Sequence, residues 1–350
     1  MSNANANPLQ VPPSGQRTGV PIIVIGRNEG ERLRRCLPSA IVCSSTVVYV
    51  DSGSTDGTLD FARSLPCTVV ELDPSIPFSP ARARNEGFFA AMALAPQAPI
   101  VQFVDGDCEL IGDWIERGIG ILGSRPDVAV VCGNLREIHP EATVYNRLCD
   151  LEWQQQPGEI AACGGIILIR SIVFATVHGF RLDVAAGEDL ELSYRIRQAG
   201  WKILQADAGM ARHDAAMIRF SQWWRRARRV GFAYAQVEAL HGGGNEHLYV
   251  RECGRNLGWA LALPVVALCL ASLTQGISLL VLLCAYFLLF ARIFRYAHRR
   301  GWPVRDAFVY ARFTVLSKFP GLQGMIEYYW WQLRGRPKAI VEHYYEYKNS

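Results

Sequence analysis

Two carboxylates stand one residue apart in "FVDGDCEL", Asp105 and Asp107 with only Gly106 between them. Like charges this close repel unless a cation lies between them or one takes a proton. Hard oxygen ligands in this number suit Mg2+ or Mn2+, which keep their other positions for water and substrate phosphates. A second acidic pair, Glu188 and Asp189, opens "GEDLELSYRIRQAGW" after Gly187. Carboxylates are favoured at a helix N-terminus, so capping explains one of them. The other is what proton abstraction from an acceptor requires. Asp51 ends an apolar run in "VVYVDSGSTDGT" and can accept hydrogen bonds from a ligand. Ser54 or Asp56 there also reads as an ordinary helix N-cap. Arg82, Arg84 and Asn85 open a helix in "ARARNEGFFAA". Helix N-termini attract anions and arginine grips phosphate, although surface arginines would look the same. His213, in "ARHDA", follows the second acidic pair; alone it reads as structural.

These residues need elements to hold them. Between residues 22 and 207 short β-branched runs alternate with helical stretches. The strand candidates are "IIVIG", "VVYVDS", "TVVEL", "IVQFVDGD", "VAVVCG", "IILIR" and "WKILQAD". The helix candidates include Glu29–Leu37, Thr58–Ser64, Ala81–Ala95 and Asp189–Gln198. Such alternation predicts an α/β fold with a mostly parallel sheet covered on both faces. Ligands of such sheets bind outside the carboxyl ends of the strands. Asp51 and Asp105 both fall at strand ends, which assigns them to one site.

Composition sets the surroundings. The 350 residues carry a net charge of +4, and half are hydrophobic. Five arginines and no acid lie between Ala215 and Val237, and seven basic residues face only Asp306 between Arg292 and Lys318. Clusters of this kind predict an anionic partner. The ten cysteines include no C-x-x-C pair, which reads as reduced, mostly buried thiols rather than a zinc site. The first residues lack the apolar core of a signal peptide and read as a disordered tail. Asn256 to Ala291 is a 36-residue run without a charge. Such a run is too long for one bilayer-spanning helix, which needs about 20 residues, and slightly short for two. With a turn at "SLTQGIS" it reads as a hairpin, Leu257–Leu273 and Ile277–Phe290; a buried hairpin of a soluble protein is the competing reading. Arginines at both outer ends put those ends, and the domain before them, in the cytoplasm. After it, "FPGLQGMIEYYWWQLRG" suits a membrane interface.

The ordered set D-x-S-x-x-D-G-T, A-R-N, D-x-D, G-G-x-x-x-x-R and G-E-D-x-x-L-x-x-R resembles glycosyltransferase family 2, over about residues 20 to 235. The resemblance implies a GT-A fold, Rossmann-like, and inverting sugar transfer from a nucleotide-sugar. It implies that Asp51 contacts the nucleobase, that Arg84 lies near the nucleotide, and that Asp105 reaches ribose or metal. Asp107 would bind the Mg2+ or Mn2+, with His213 completing the shell. Asp189 would be the base, with Glu188 beside it shaping the acceptor site, and Gly164 and Gly165 would let the acceptor approach the backbone. Many relatives read P-T-Y-N-E after the first strand. Here "IGRNE" puts Arg27 and Glu29 in the nucleotide-sugar-binding position, and Arg27 replaces an aromatic that could stack on the base. "QWWRR", Gln222 to Arg226, is similar to the Q-x-x-R-W of processive synthases without its last Trp, which favours transfer of a single sugar.

The organisation expected is a tail over 1–20, a GT-A domain over 21–240, a linker over 241–255, a transmembrane or helical hairpin over 256–291, and a basic, aromatic interfacial segment over 292–350. The partners expected are a UDP- or GDP-sugar, a lipid-linked or saccharide acceptor in glycan or cell-envelope biosynthesis, and the inner (cytoplasmic) membrane. A sugar nucleotidyltransferase would want a Gly-rich, basic phosphate loop, and "IGRNEGERL" is a poor one. A non-catalytic, membrane-anchored nucleotide-sugar binder could dispense with Glu188 and Asp189. Nucleic-acid binding would rest on the basic clusters alone, without a module.

Overall fold

The computed structural model of the chain describes residues 17–244 and 246–335. Most of the expected tail, residues 1–16, and the last fifteen residues of the expected interfacial segment, 336–350, lie outside them. Among the described residues nine strands form one sheet: β1 (Ile22–Gly26), β2 (Val47–Asp51), β3 (Thr68–Glu71), β4 (Ile100–Asp105), β5 (Cys108–Leu110), β6 (Val128–Glu137), β7 (Gly158–Glu159), β8 (Ile167–Arg170) and β9 (Lys202–His213). The helices up to the second acidic pair are α1 (Glu31–Cys43), α2 (Thr58–Arg63), α3 (Pro80–Leu94), α4 (Trp114–Ser124), α5 (Val144–Trp153), α6 (Ser171–Thr176) and α7 (Glu188–Gln198).

The sheet order is β3-β2-β1-β4-β8-β6-β9-β5, with β7 on β9. From β3 to β4 every pairing is parallel, as the alternation predicts. These strands read as unbroken apolar runs because helices cover both faces. The other half departs from a mostly parallel sheet. β8 runs antiparallel to both β4 and β6, and β5 and β7 run antiparallel to β9. Side-chain periodicity carries no strand direction, so the sequence could not show this.

The register delivers the site residues. Gly26 pairs with Asp51 and Ile25 with Asp105, so both acids flank the carboxyl end of β1. Cys108 pairs with His213, which brings the residue before Cys108, Asp107, beside that imidazole. Beneath the sheet Phe103, Phe174 and Phe180 pack with ring centroids 5.1–5.8 Å apart. The buried Gln102 is satisfied by the Trp114 indole, which donates to its side-chain oxygen at 2.8 Å.

The remaining helices are α8 (Phe220–His241), α9 (Val250–Leu257), α10 (Leu263–Cys269), α11 (Ile277–Arg299), α12 (Val304–Leu316) and α13 (Lys318–Leu333). α9 occupies the C-terminal part of the expected linker. It runs through a π-helical turn, Gly258–Ala262, into α10. Pro264 explains that turn: it has no N–H to give and its ring crowds the carbonyl four residues earlier. The first limb of the hairpin is therefore broken, whereas the second, α11, is 23 residues long with none of its apolar window buried. Among the described residues it is the helix long and apolar enough to cross a membrane.

The C-terminal helices also return to the sheet domain. α13 lies on α8 at backbone contact: a Cβ on Gly324 would fall 1.9 Å from the Arg228 carbonyl oxygen, and one on Gly231 2.0 Å from that of Gly321. Arg147 of α5 donates to Asp306 of α12 at 3.0 Å. The expected interfacial segment is thus partly a wall of the molecule.

Candidate functional site

A cavity of about 700 Å³ opens at the carboxyl ends of β1 and β4. On one side lie Arg27, Glu29, Asp105 and Asp107, on another Glu188, and α8 closes it with Arg225, Arg226, Arg228 and Arg229.

Two of the expected metal ligands, Asp107 and His213, meet as the register requires. His213 Nε2 stands 3.4 Å from Asp107 Oδ1. Asp107, Cys108 and His213 each present a donor atom within 4.8 Å of the others. The imidazole is braced by Trp153, 4.4 Å between centroids, and its buried Nδ1 has no hydrogen-bond partner. Arg35 grips Asp214, the next residue, at 2.6 Å. A carboxylate and an imidazole fit a divalent cation such as Mn2+, whereas Asp105, the third expected ligand, is outside this group and receives the Arg84 guanidinium.

Arg84 is the centre of the cavity floor. Its guanidinium donates to Asp105 Oδ1 at 2.7 Å and to Glu188 Oε1 at 3.0 Å, over the Phe180 ring. Burial alone would favour its neutral form; the carboxylates of Asp105, Glu188 and Asp189 outweigh that and hold the proton more firmly than usual. The two acids of α7 are driven apart. Burial would raise Glu188, but Arg84 and Arg229 overcome it and hold its pKa low. Asp189 is raised to about 6, first by burial and then by the Glu188 charge. Two neighbouring carboxyls in opposed environments are the usual arrangement for separate acid–base roles. Glu188 faces the cavity. Asp189 accepts from the Leu190 amide at 2.9 Å and lies toward Gly164, where a Cβ would stand 3.9 Å from Oδ2.

Asp51 gains local partners, and one expectation, at Gly165, changes. Asp51 is buried, 2% exposed. It accepts from the Ser54 amide at 2.7 Å, from the Ser54 hydroxyl at 2.6 Å and from Tyr49 at 3.0 Å. It therefore orders the turn under the cavity. Gly165 does not leave room for an acceptor, because the Arg84 guanidinium fills the space beside it.

Other residues were not legible as site residues. Phe78, in the loop before α3, lies under the Arg27 guanidinium, 5.2 Å from the ring centroid. The α8 arginines showed only as a basic cluster. Arg226 pairs with Glu152 at 2.6 Å and Arg228 with Glu327 of α13 at 3.3 Å. Trp331, also of α13, completes the wall. No local motif links α13 to this cavity.

Comparison with known proteins agrees with this geometry. Residues 22–176 match the model of "Glycosyl transferase family 2". The chain is 26% identical over 236 residues to the glycosyltransferase AglE of Haloferax volcanii, 63% of this chain and 74% of that one. It is 25% identical over 244 residues to the pre-mycofactocin glycosyltransferase of Mycobacterium tuberculosis, 66% of this chain and half the length of that protein. The solved mannosyltransferase PcManGT from Pyrobaculum calidifontis, in complex with GDP-Man and Mn2+, superposes with a TM-score of 0.55 at 21% identity over 87% of each chain. That likeness concerns the fold, a mixed sheet of GT-A type with helices following it. The segment 22–176, with the sheet that carries it, is thus similar to glycosyl transferase family 2.

Proposed function

We propose that the chain moves a sugar, with inversion, from a nucleoside-diphosphate donor to an acceptor hydroxyl of a lipid-linked saccharide, or to a polyprenyl phosphate, at the cytoplasmic face of a membrane. The observation that carries this reading is one cavity with the Asp107–His213 pair on one wall, Glu188 on another with Asp189 beside it, and Arg84 between them.

The nucleotide lies over the ends of β1, β2 and β4. A carboxylate has about four lone-pair sites, and three on Asp51 are taken, so one remains for the base. Arg27, Glu29, Asp105 and Arg84 surround the ribose and diphosphate. Asp107 and His213, with Asp105, would hold Mg2+ or Mn2+, which when bound supplies Lewis-acid stabilisation of diphosphate charge. Asp189 takes the proton of the acceptor hydroxyl. The oxygen attacks the anomeric carbon from the face opposite the diphosphate, the sugar–phosphate bond breaks, and the nucleoside diphosphate departs. Glu188, held ionised by Arg84, orients the acceptor, with Gly164 at its edge.

The acceptor class follows from what surrounds the cavity. The α8 arginines suit a phosphate-bearing acceptor, and basic, aromatic segments on both sides of an apolar hairpin favour anionic lipid surfaces. Cys269 and Cys284, the exposed cysteines, lie in that hairpin, as lipid-facing residues would. GDP-mannose is the first donor to test, because PcManGT was solved with it. The test is nucleoside diphosphate release by detergent-purified chain from GDP- and UDP-sugars, with Mn2+ and polyprenyl phosphates. Release from one donor that depends on the acceptor supports the reading; no binding or release with any donor refutes it. In membranes, the full chain is expected to stay in the pellet after carbonate extraction. Its quantitative release would show the hairpin to be a protein-contact element.

A further inference from the structure

Gly165 lies in "CGGIILIR", in the loop that leads into β8. Its backbone is not left-handed, so no dihedral angle demands glycine there. Space does. A Cβ at this position would lie 2.0 Å from Arg84 Nη2, 2.6 Å from Cζ and 3.1 Å from Nε. The guanidinium occupies the volume any other side chain would take. Next door, a Cβ on Gly164 would meet its nearest neighbour at 3.9 Å, ordinary contact, so only the second glycine is spatially required.

Three elements converge on this slot. Arg84 comes from α3, Asp105 from the end of β4 and Glu188 from the first residue of α7. The Arg84 side chain is 5% exposed and spans the two carboxylates with separate nitrogens. A planar fork is suited to this, and a lysine ammonium is not, because it acts as a point charge. Asp105, Glu188 and Asp189 would repel one another without it.

We infer that Gly165 is a positioning residue: the volume it leaves open seats the Arg84 guanidinium as a strap between Asp105, on the donor side, and Glu188, on the acceptor side. The strap sets the separation across which the sugar is transferred. This rests on the proposed reading of the site. Gly165 touches no reacting atom and acts through Arg84. A methyl at 165 alters volume and removes no charge or hydrogen-bonding group, so its effect must pass through the displaced guanidinium.

A double-mutant cycle of Gly165→Ala and Arg84→Lys tests this in the full chain. Turnover is read as GDP release from GDP-mannose and UDP release from UDP-glucose with Mn2+, and binding as the Kd for GDP and UDP. Misplacing a reacting group by about 1 Å costs up to about 10²-fold. Gly165→Ala is expected to lower kcat by roughly ten- to a hundredfold in the Arg84 background and to weaken nucleotide Kd as well, because the displaced guanidinium also faces the diphosphate. In the Arg84→Lys background, where the slender side chain does not need the slot, the same substitution is expected to cost less than about twofold, the non-additivity of residues in contact. Thermal unfolding of the four proteins is expected to show the same coupling in Tm, whatever the substrate. Equal losses of kcat and Tm in both backgrounds, or none in either, would overturn the inference. A wild type that neither binds nor turns over a nucleotide sugar, with the Tm coupling present, would instead overturn the transferase reading and leave the Arg84 seat standing.

Discussion

Asp189→Asn is expected to lower kcat by about 10²–10⁴-fold, the usual worth of a positioned general base, and to leave donor Kd nearly unchanged. Asparagine keeps the size and much of the hydrogen bonding, including acceptance from the Leu190 amide. It loses the negative charge and with it the ability to take a proton. The pH profile gives a second reading of the same group. A carboxyl raised to about 6 is protonated, and useless as a base, below that pH. Wild-type turnover should therefore fall as pH drops through about 6, and the residual turnover of Asp189→Asn should not follow that limb. The stability effect has the opposite sign from the usual salt-bridged acid. A carboxyl whose folded pKa is raised favours the folded state fully below its unfolded pKa of about 3.9. That contribution is lost as pH rises through the folded value of about 6. At pH 7 the buried charge is a liability, so Asp189→Asn should unfold at the same temperature as wild type or higher. Glu188→Gln should weaken the acceptor KM more than kcat, and it should lower Tm because it loosens Arg84. Wild-type turnover by Asp189→Asn would move the base to Glu188, which already faces the cavity.

The parallel half of the fold was legible because it is a chemical pattern. "IIVIG", "VVYVDS" and "IVQFVDGD" are β-branched runs closed by small or acidic residues, and they became β1, β2 and β4 within two residues. β5 and β7 were not, since three and two residues carry no period. β6 and β9 extend past their apolar cores, to Glu137 and His213, because they pair with each other along their polar ends. That extension is what carries His213 to Asp107, so a long-range pairing turned an ordinary histidine into a site residue. The site residues named by local motif, Asp105, Asp107, Glu188 and Arg84, do converge. Those set by tertiary packing were invisible. Gly165 was read as acceptor space and is filled by Arg84. Asp51 was read as a nucleobase contact, and its partners in the turn, Ser54 and Tyr49, did not show in the sequence. The α8 arginines form the far wall because α13 presses against α8 through Gly321 and Gly324, and no neighbour in sequence announces that.

Removal of the cation should have an effect comparable to loss of the base. Excess chelator is expected to abolish turnover and Mn2+ or Mg2+ to restore it. Asp107→Ala should weaken Mn2+ binding by more than the roughly 10–100-fold that loss of an outer-shell partner usually costs. Calorimetry of Mn2+ with the protein alone checks this without an acceptor. His213→Ala should weaken Mn2+ more than Mg2+, because imidazole suits the softer ion while carboxylate serves both. Asp105 makes the sharper comparison. Its carboxylate also receives the Arg84 guanidinium at 2.7 Å, so Asp105→Ala should lose metal affinity and, in addition, free Arg84 from one end of its span. Asp107 lies beside His213 and the Cys108 thiol, at 3.4 and 3.6 Å. Saturating Mn2+ should therefore recover much of the turnover of Asp107→Ala and little of that of Asp105→Ala. Equal recovery in both would mean that Asp105 serves the metal alone. Undiminished turnover by wild type in excess chelator would remove the metal from the reaction and leave Arg84 and the α8 arginines as the cations facing the diphosphate.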